Sequence, residues 1–142
     1  MKKVFLTAVV ALSALVASAQ FMVVTTYDGD QEESMDKIAG KLGVGFMVND
    51  AITLGVARGG KDASGDDTYD LFARYNLNFV EGMYASIQAP TTDATDNLSL
   101  GAGVSFNVMR GLYIEPNYSM PANADSNGER EGSFNLGIAY RF

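Results

Sequence analysis

The sequence of 142 residues contains no cysteine and no histidine. Without cysteine the chain can form neither a disulfide nor a thiol site, and it has no attachment point for a lipoprotein anchor. Without histidine it lacks the side chain that proteins use most often as a general base and as a metal ligand. A mechanism that uses aspartate and glutamate alone remains open, but no paired carboxylates stand at a recognisable spacing. We therefore expect no enzyme, no catalytic residue, no cofactor and no metal site.

Basic residues are also scarce. The 10 lysines and arginines are outnumbered by 17 aspartates and glutamates, which gives a formal net charge of −7. No stretch of the chain gathers its basic residues into a cluster. Because proteins bind nucleic acids through basic surface that neutralises phosphates, we expect no nucleic-acid partner.

The sequence has no apolar run of the length that a membrane-spanning helix needs, which is about 20 residues. Its longest apolar stretch, Val4 to Val16, follows the positive start Met1-Lys2-Lys3 and precedes the small residues Ala17-Ser18-Ala19. This order is typical of a cleaved secretory signal peptide. We predict a signal peptide over residues 1–19 and an exported domain over residues 20–142 without a transmembrane helix.

The rest of the sequence alternates large apolar residues with small or polar ones. In residues 134–142 it places Phe134, Leu136, Ile138, Tyr140 and Phe142 on one face of a strand. Similar alternation recurs in residues 41–48, 52–57, 69–79, 98–108 and 112–120, and more weakly in 83–89. Residues 21–27 are apolar on both faces, so their register stays open. The pattern predicts an all-β domain.

The connections between these strands alternate in length. Acidic residues, glycine and proline collect in residues 28–36, 59–67, 90–97 and 121–131, whereas the connections at 49–50, 80–82 and 109–111 are short. Long outer loops alternating with short periplasmic turns are typical of membrane barrels. We predict an eight-stranded antiparallel up-and-down transmembrane β-barrel. Pro116 lies within a strand and should cause a bulge or a missing ladder hydrogen bond.

The composition of the polar face indicates which face of the wall is outside. It consists mostly of glycine, serine, asparagine and alanine, which suit a narrow lumen better than a water-exposed surface. The apolar face should therefore contact lipid. Its aromatic residues fall into two predicted membrane-interface belts: Phe46, Phe79, Phe106, Tyr140 and Phe142 near short turns or the chain end, and Tyr27, Tyr69, Tyr118 and Phe134 near long loops.

The signal peptide, the alternation and the final Tyr140-Arg141-Phe142 together resemble the small outer-membrane β-barrels of OmpA/OmpX type over residues 20–142. The resemblance implies a location in the bacterial outer membrane, with membrane lipid and lipopolysaccharide as partners. It also implies that the barrel-assembly machinery reads Tyr140 and Phe142 as an assembly signal. Barrels of this kind that modify lipopolysaccharide pair serine with histidine, which is missing here. The resemblance does not imply the peptidoglycan binding of full-length OmpA, since we expect no appended periplasmic domain.

Few ionisable side chains fall on the inward face: Lys41, Asp70, Arg74, Glu115 and Arg141. Counted from the turns, Arg74 and Glu115 lie at one height, and Lys41 and Asp70 at another. We predict two ion pairs across the lumen, Arg74 with Glu115 and Lys41 with Asp70. Such pairs either plug the barrel or form a gate, and the narrow lumen favours plugging.

The expected function is that of a non-enzymatic, plugged outer-membrane barrel that contributes to envelope integrity or surface interaction. The alternative is a narrow passive pore for small solutes or ions. A soluble exported barrel that binds a ligand inside is a third possibility. The acidic loops are either ordinary solvated surface or bridged to lipopolysaccharide through divalent cations. The sequence does not identify a loop ligand.

Overall fold

The computed structural model describes residues 20–27, 32 and 39–142. The predicted signal peptide lies outside them, as does most of the first acidic loop. The strand segments are β1 (Phe21–Thr26), β2 (Gly43–Met47), β3 (Ile52–Lys61), β4 (Asp67–Asn76), β5 (Met83–Pro90), β6 (Ser99–Val104), β7 (Phe106–Met109), β8 (Leu112–Pro121) and β9 (Ser133–Arg141). Within this part of the chain, no helix has the length and apolar character to cross a membrane.

The strands form a closed antiparallel barrel. Consecutive strands pair from β1 to β6, both β6 and β7 pair with β8, β8 pairs with β9, and β9 returns to pair with β1. Because β6 and β7 occupy one place in the wall, the barrel has eight strands. The predicted eight-stranded up-and-down topology is confirmed.

The connections divide between two ends of the barrel, here named the turn end and the loop end. The turn end carries the connections at 48–51, 77–82 and 110–111, and Gly82 and Gly111 take left-handed φ angles of 78° there. The loop end carries the connections that follow β1, β3, β5 and β8. One of these is shorter than predicted, because β3 and β4 continue pairing as far as Lys61 and Asp67, with a bulge between Arg58 and Gly60.

The wall is interrupted opposite Pro116, as the missing N–H of proline requires. Pairing stops after Gly103 with Asn117 and resumes at Phe106 with Ile114. Both strands advance three residues between these pairs, so no residue is inserted and the irregularity is a gap in the ladder rather than a bulge. On the other side of β6 the ladder with β5 continues past the gap, since the backbone N–H of Ser105 donates to the carbonyl of Gly82 at 2.8 Å.

The first strand has a register that its sequence left open. Met22 pairs with Gly45 and Val24 with Gly43, so both side chains share the inward face with glycines. Met22 is only 1% exposed. The glycines of β2 therefore leave space inside the barrel for the larger side chains of β1.

Large apolar side chains lie on the outside of the wall. Those in the middle of the strands form an exposed aliphatic band: Leu54, Val56, Leu71, Ile87, Leu100, Ile114 and Leu136. Inside, the ring of Phe72 lies beside Gly45 and Gly55, and a Cβ added to Gly55 would overlap it. The lumen is thus a packed interior, and the apolar surface faces outward.

Candidate functional site

The lumen contains a buried carboxylate held by two guanidinium groups. Glu115, an inward residue of β8, is 1% exposed. Arg74 reaches it from β4 across the lumen, and its Nη1 donates to both carboxylate oxygens at 2.9 and 2.7 Å. Arg141 of β9 donates from Nη2 to Oε1 at 3.3 Å, and the hydroxyl of Ser105 donates to the same oxygen at 2.6 Å. We call these four residues the lumen ion cluster.

Two tyrosine rings hold the arginines of the lumen ion cluster in place. The guanidinium of Arg74 lies 4.1 Å from the ring centroid of Tyr84, and that of Arg141 lies 4.0 Å from the ring centroid of Tyr113. A cation over an aromatic face is attracted by the ring quadrupole, more strongly where water is excluded. Since Tyr84 is only 3% exposed, its contact with Arg74 is of this buried kind.

Members of the cluster line two cavities. A cavity of about 100 Å³ at the loop end is lined in part by Arg74 and Glu115. A cavity of about 320 Å³ at the turn end is lined by residues of the 76–83 connection together with Arg141. Residues of one hydrogen-bonded group thus line both cavities.

The two predicted ion pairs have different outcomes. The structure brings Arg74 and Glu115 together, with 2.7 Å between Nη1 and Oε2. Lys41 and Asp70 form no ion pair: Nζ of Lys41 approaches the carbonyl of Gly59 at 3.5 Å, and Asp70 accepts a hydrogen bond from Gln88 at 2.7 Å. The second ion pair is not formed, because Asp70 is bound by Gln88 instead and Lys41 turns to the backbone of β3.

Sequence reasoning also missed part of the cluster. Arg141 is inward as predicted, but no partner was assigned to it. It lies four residues beyond Gly137, the neighbour of Glu115 on β9, and its long side chain leans back to reach the carboxylate. Ser105 gave only a weak signal, its place opposite the Pro116 region. Tyr84 and Tyr113 alternate onto the inward face and could have been found from that alternation.

The predicted interface aromatics lie near the two ends of the barrel on its exposed surface. Phe46, Phe79, Phe106, Tyr140 and Phe142 are at the turn end, and Tyr27, Tyr69, Tyr118 and Phe134 are at the loop end. Some of them pair: the rings of Tyr118 and Phe134 are 4.9 Å apart, as are those of Tyr140 and Phe142. Their contact with lipid, and the assembly role of Tyr140 and Phe142, stay predictions.

The described loops are organised by their own acidic residues. The carboxylate of Asp62 accepts the backbone N–H groups of Ser64 and Asp66, and that of Asp125 accepts those of Asn127 and Glu129. Such side-chain-to-backbone bonds stabilise tight turns. In the described ranges, no three acidic side chains converge as a metal site would require.

The chain matches no protein-family model and no curated protein. What can be said of its function therefore rests on the barrel and the lumen alone.

Proposed function

We propose that this protein is an integral outer-membrane barrel of OmpA/OmpX type with a plugged lumen, and that it contributes to envelope integrity or surface interaction without enzymatic activity. The observation that carries the proposal is the exposed aliphatic band. A barrel surrounded by water normally turns polar residues outward and apolar ones inward. Here the arrangement is reversed, and a hydrocarbon environment accounts for the reversal.

The lengths of the four longest strands are consistent with this proposal. A strand that crosses a bilayer at a tilt of about 45° needs roughly 9–11 residues. β3, β4 and β8 have 10 residues each, and β9 has 9. Aromatic rings at both ends of such strands would lie at the two membrane interfaces, where amphipathic rings are favoured. Outer-membrane lipid and lipopolysaccharide are then the surroundings, and the barrel-assembly machinery inserts the chain.

The lumen ion cluster supports the plugged state. Four hydrogen bonds end on one carboxylate, and both guanidinium groups are also held by tyrosine rings. A side chain bound from several directions does not leave the lumen without losing several charged hydrogen bonds together. Function is then expected at the loop end, where the acidic loops face the cell exterior. Their ligand is not identified.

The proposal is tested by an electrophoretic shift on outer-membrane fractions of cells that express the protein. Membrane barrels keep their folded shape in SDS until heated, so we expect unboiled and boiled samples to migrate differently. The boiled sample is the matched control for the unboiled one. Recovery of the protein in a periplasmic or secreted fraction, without a shift on heating, would overturn the membrane assignment and favour a soluble barrel.

A narrow passive pore is the second candidate, favoured by the cavities on either side of the cluster. Side chains of the lumen ion cluster line both cavities, and side chains can move. Conductance of the purified protein in planar bilayers distinguishes the candidates. We expect no reproducible channels. Regular single-channel steps from protein free of contaminating porins would contradict the plugged barrel and favour the pore.

A further inference from the structure

The exported chain is predicted to begin at Gln20, and the structure places this residue at the turn end, directly before β1, where it is exposed. In a glutamine with a free α-amine, the amine and the side-chain amide are spaced to close a five-membered ring. We propose that Gln20 cyclises to pyroglutamate, which makes it a site of N-terminal modification. The proposal rests on the proposed outer-membrane location, which requires export, and on cleavage of the predicted signal peptide before Gln20.

The cyclisation needs no reactant besides Gln20 itself. The α-nitrogen attacks Cδ of the side-chain amide, so that a bond forms between these two atoms and the bond from Cδ to Nε2 breaks. The amide nitrogen leaves as ammonia with a proton that the α-nitrogen gives up, and a neutral lactam remains. Since α-amino groups are less basic than lysine side chains, part of them is unprotonated and nucleophilic near neutral pH. Attack within one residue also has the high effective concentration of an intramolecular reaction.

Both reacting groups of Gln20 are free in the folded barrel. Its carbonyl oxygen accepts the backbone N–H of Met47 at 2.8 Å. Its backbone nitrogen and its side-chain amide make no hydrogen bond within the described part of the chain. The side chain can therefore turn back onto the nitrogen without breaking any bond that holds β1 in the wall.

The product is compatible with the place where β1 lies between β2 and β9. Cyclisation leaves the carbonyl of Gln20 unchanged, so its bond from Met47 remains. The next residue, Phe21, keeps its pairing with Phe46, and its carbonyl keeps the hydrogen bond from the N–H of Phe142 at 2.9 Å. The lactam thus ends β1 without disturbing it. It removes one positive charge from the turn end and protects the first strand from exopeptidases that require a free α-amine.

Mass spectrometry of the protein isolated from outer-membrane fractions tests the proposal. Free amines are acetylated with an isotopically labelled reagent before digestion, so that a ring formed later is not counted. Trypsin then cuts only after arginine, first after Arg58, and the labels on Lys37 and Lys41 verify that acetylation was complete. We expect the peptide of residues 20–58 to carry no label on its first residue. Apart from its lysine labels, it should be lighter than the unmodified peptide by the mass of one ammonia.

Gln20→Asn is the matched control, because it keeps an amide whose shorter side chain could close only a strained four-membered ring. Its first residue should carry the label. A labelled Gln20 in the parent, a chain that starts at another residue, or an unlabelled first residue in Gln20→Asn would each overturn the proposal. Retention of residues 1–19 would overturn the predicted cleavage as well. The heat-dependent gel shift reports on the membrane barrel separately, so failure of the modification is distinguishable from failure of the proposed function.

Discussion

The two faces of β4 carry opposite chemistry along one stretch of backbone. Leu71 and Tyr75 point out of the barrel and are 57% and 49% exposed. Phe72 and Arg74 point into the lumen, and each has a defined partner there: Phe72 lies against Gly55, and Arg74 binds Glu115. The comparison shows that the outer face is specified by the solvent around it and the inner face by particular neighbours. Substitutions on the two faces should therefore destabilise the protein for different reasons.

The largest loss is expected where the inner face loses its central carboxylate. Glu115→Gln removes the charge that compensates Arg74 and Arg141, and leaves both guanidinium groups buried. Breaking a buried ion pair in this way costs about 3–5 kcal/mol of unfolding free energy. Reversible unfolding in urea, in the presence of lipid vesicles, measures the loss. Glu131→Gln, the same change on an exposed loop residue, should alter stability by less than about 0.5 kcal/mol.

Removing all three charges sharpens this test. The combined change Arg74→Met, Glu115→Leu and Arg141→Met leaves no charged group in the lumen ion cluster. Replacing a buried ionic group by apolar residues of similar volume is often neutral or stabilising. We expect the triple variant to be more stable than Glu115→Gln alone. If it is less stable, the ionic interactions of the cluster stabilise the fold more than apolar side chains of similar volume do.

The next largest effect is expected on the outer face. Leu71→Arg places a charge in the middle of the aliphatic band, where a bilayer would penalise it by about 2–4 kcal/mol. Val80→Arg, in a turn-end connection, should cost only about 0–1 kcal/mol because it lies near the interface. Both are measured by unfolding from lipid vesicles. Equal and small effects at the two positions would show that water, not lipid, surrounds the band.

The success of the sequence reasoning follows the same division between the faces. Side-chain alternation is a local property, so it predicted the outward position of Leu71 and Tyr75 and the inward position of Arg74. The alternation of long and short connections then predicted eight strands. Even the ion pair of Arg74 with Glu115 was predicted, since two inward residues at one height in a narrow barrel have few other partners.

What the sequence could not predict depends on the arrangement of strands around the wall. Height alone paired Lys41 with Asp70, but Gln88 of the neighbouring strand binds Asp70 instead. Height also gave Arg141 no partner, because a long side chain can lean along the barrel axis to Glu115. The register of β1 follows from its pairing with the glycines of β2, and the sequence alone does not show that Gly45 lies opposite Met22.

The smallest of these effects should appear where the inner face depends on shape without charge. A Cβ added to Gly55 would lie 2.5 Å from Cε1 of Phe72 and from the carbonyl oxygen of Val44. Gly55→Ala should therefore cost about 1–3 kcal/mol of unfolding free energy, as overpacking of an interior does. Gly137→Ala, the same change at another inward strand position, should cost less, because its nearest contact would be 3.1 Å. Phe72→Leu in the Gly55→Ala background should recover part of the loss, and a purely additive double-mutant cycle would show that the ring is not the obstacle.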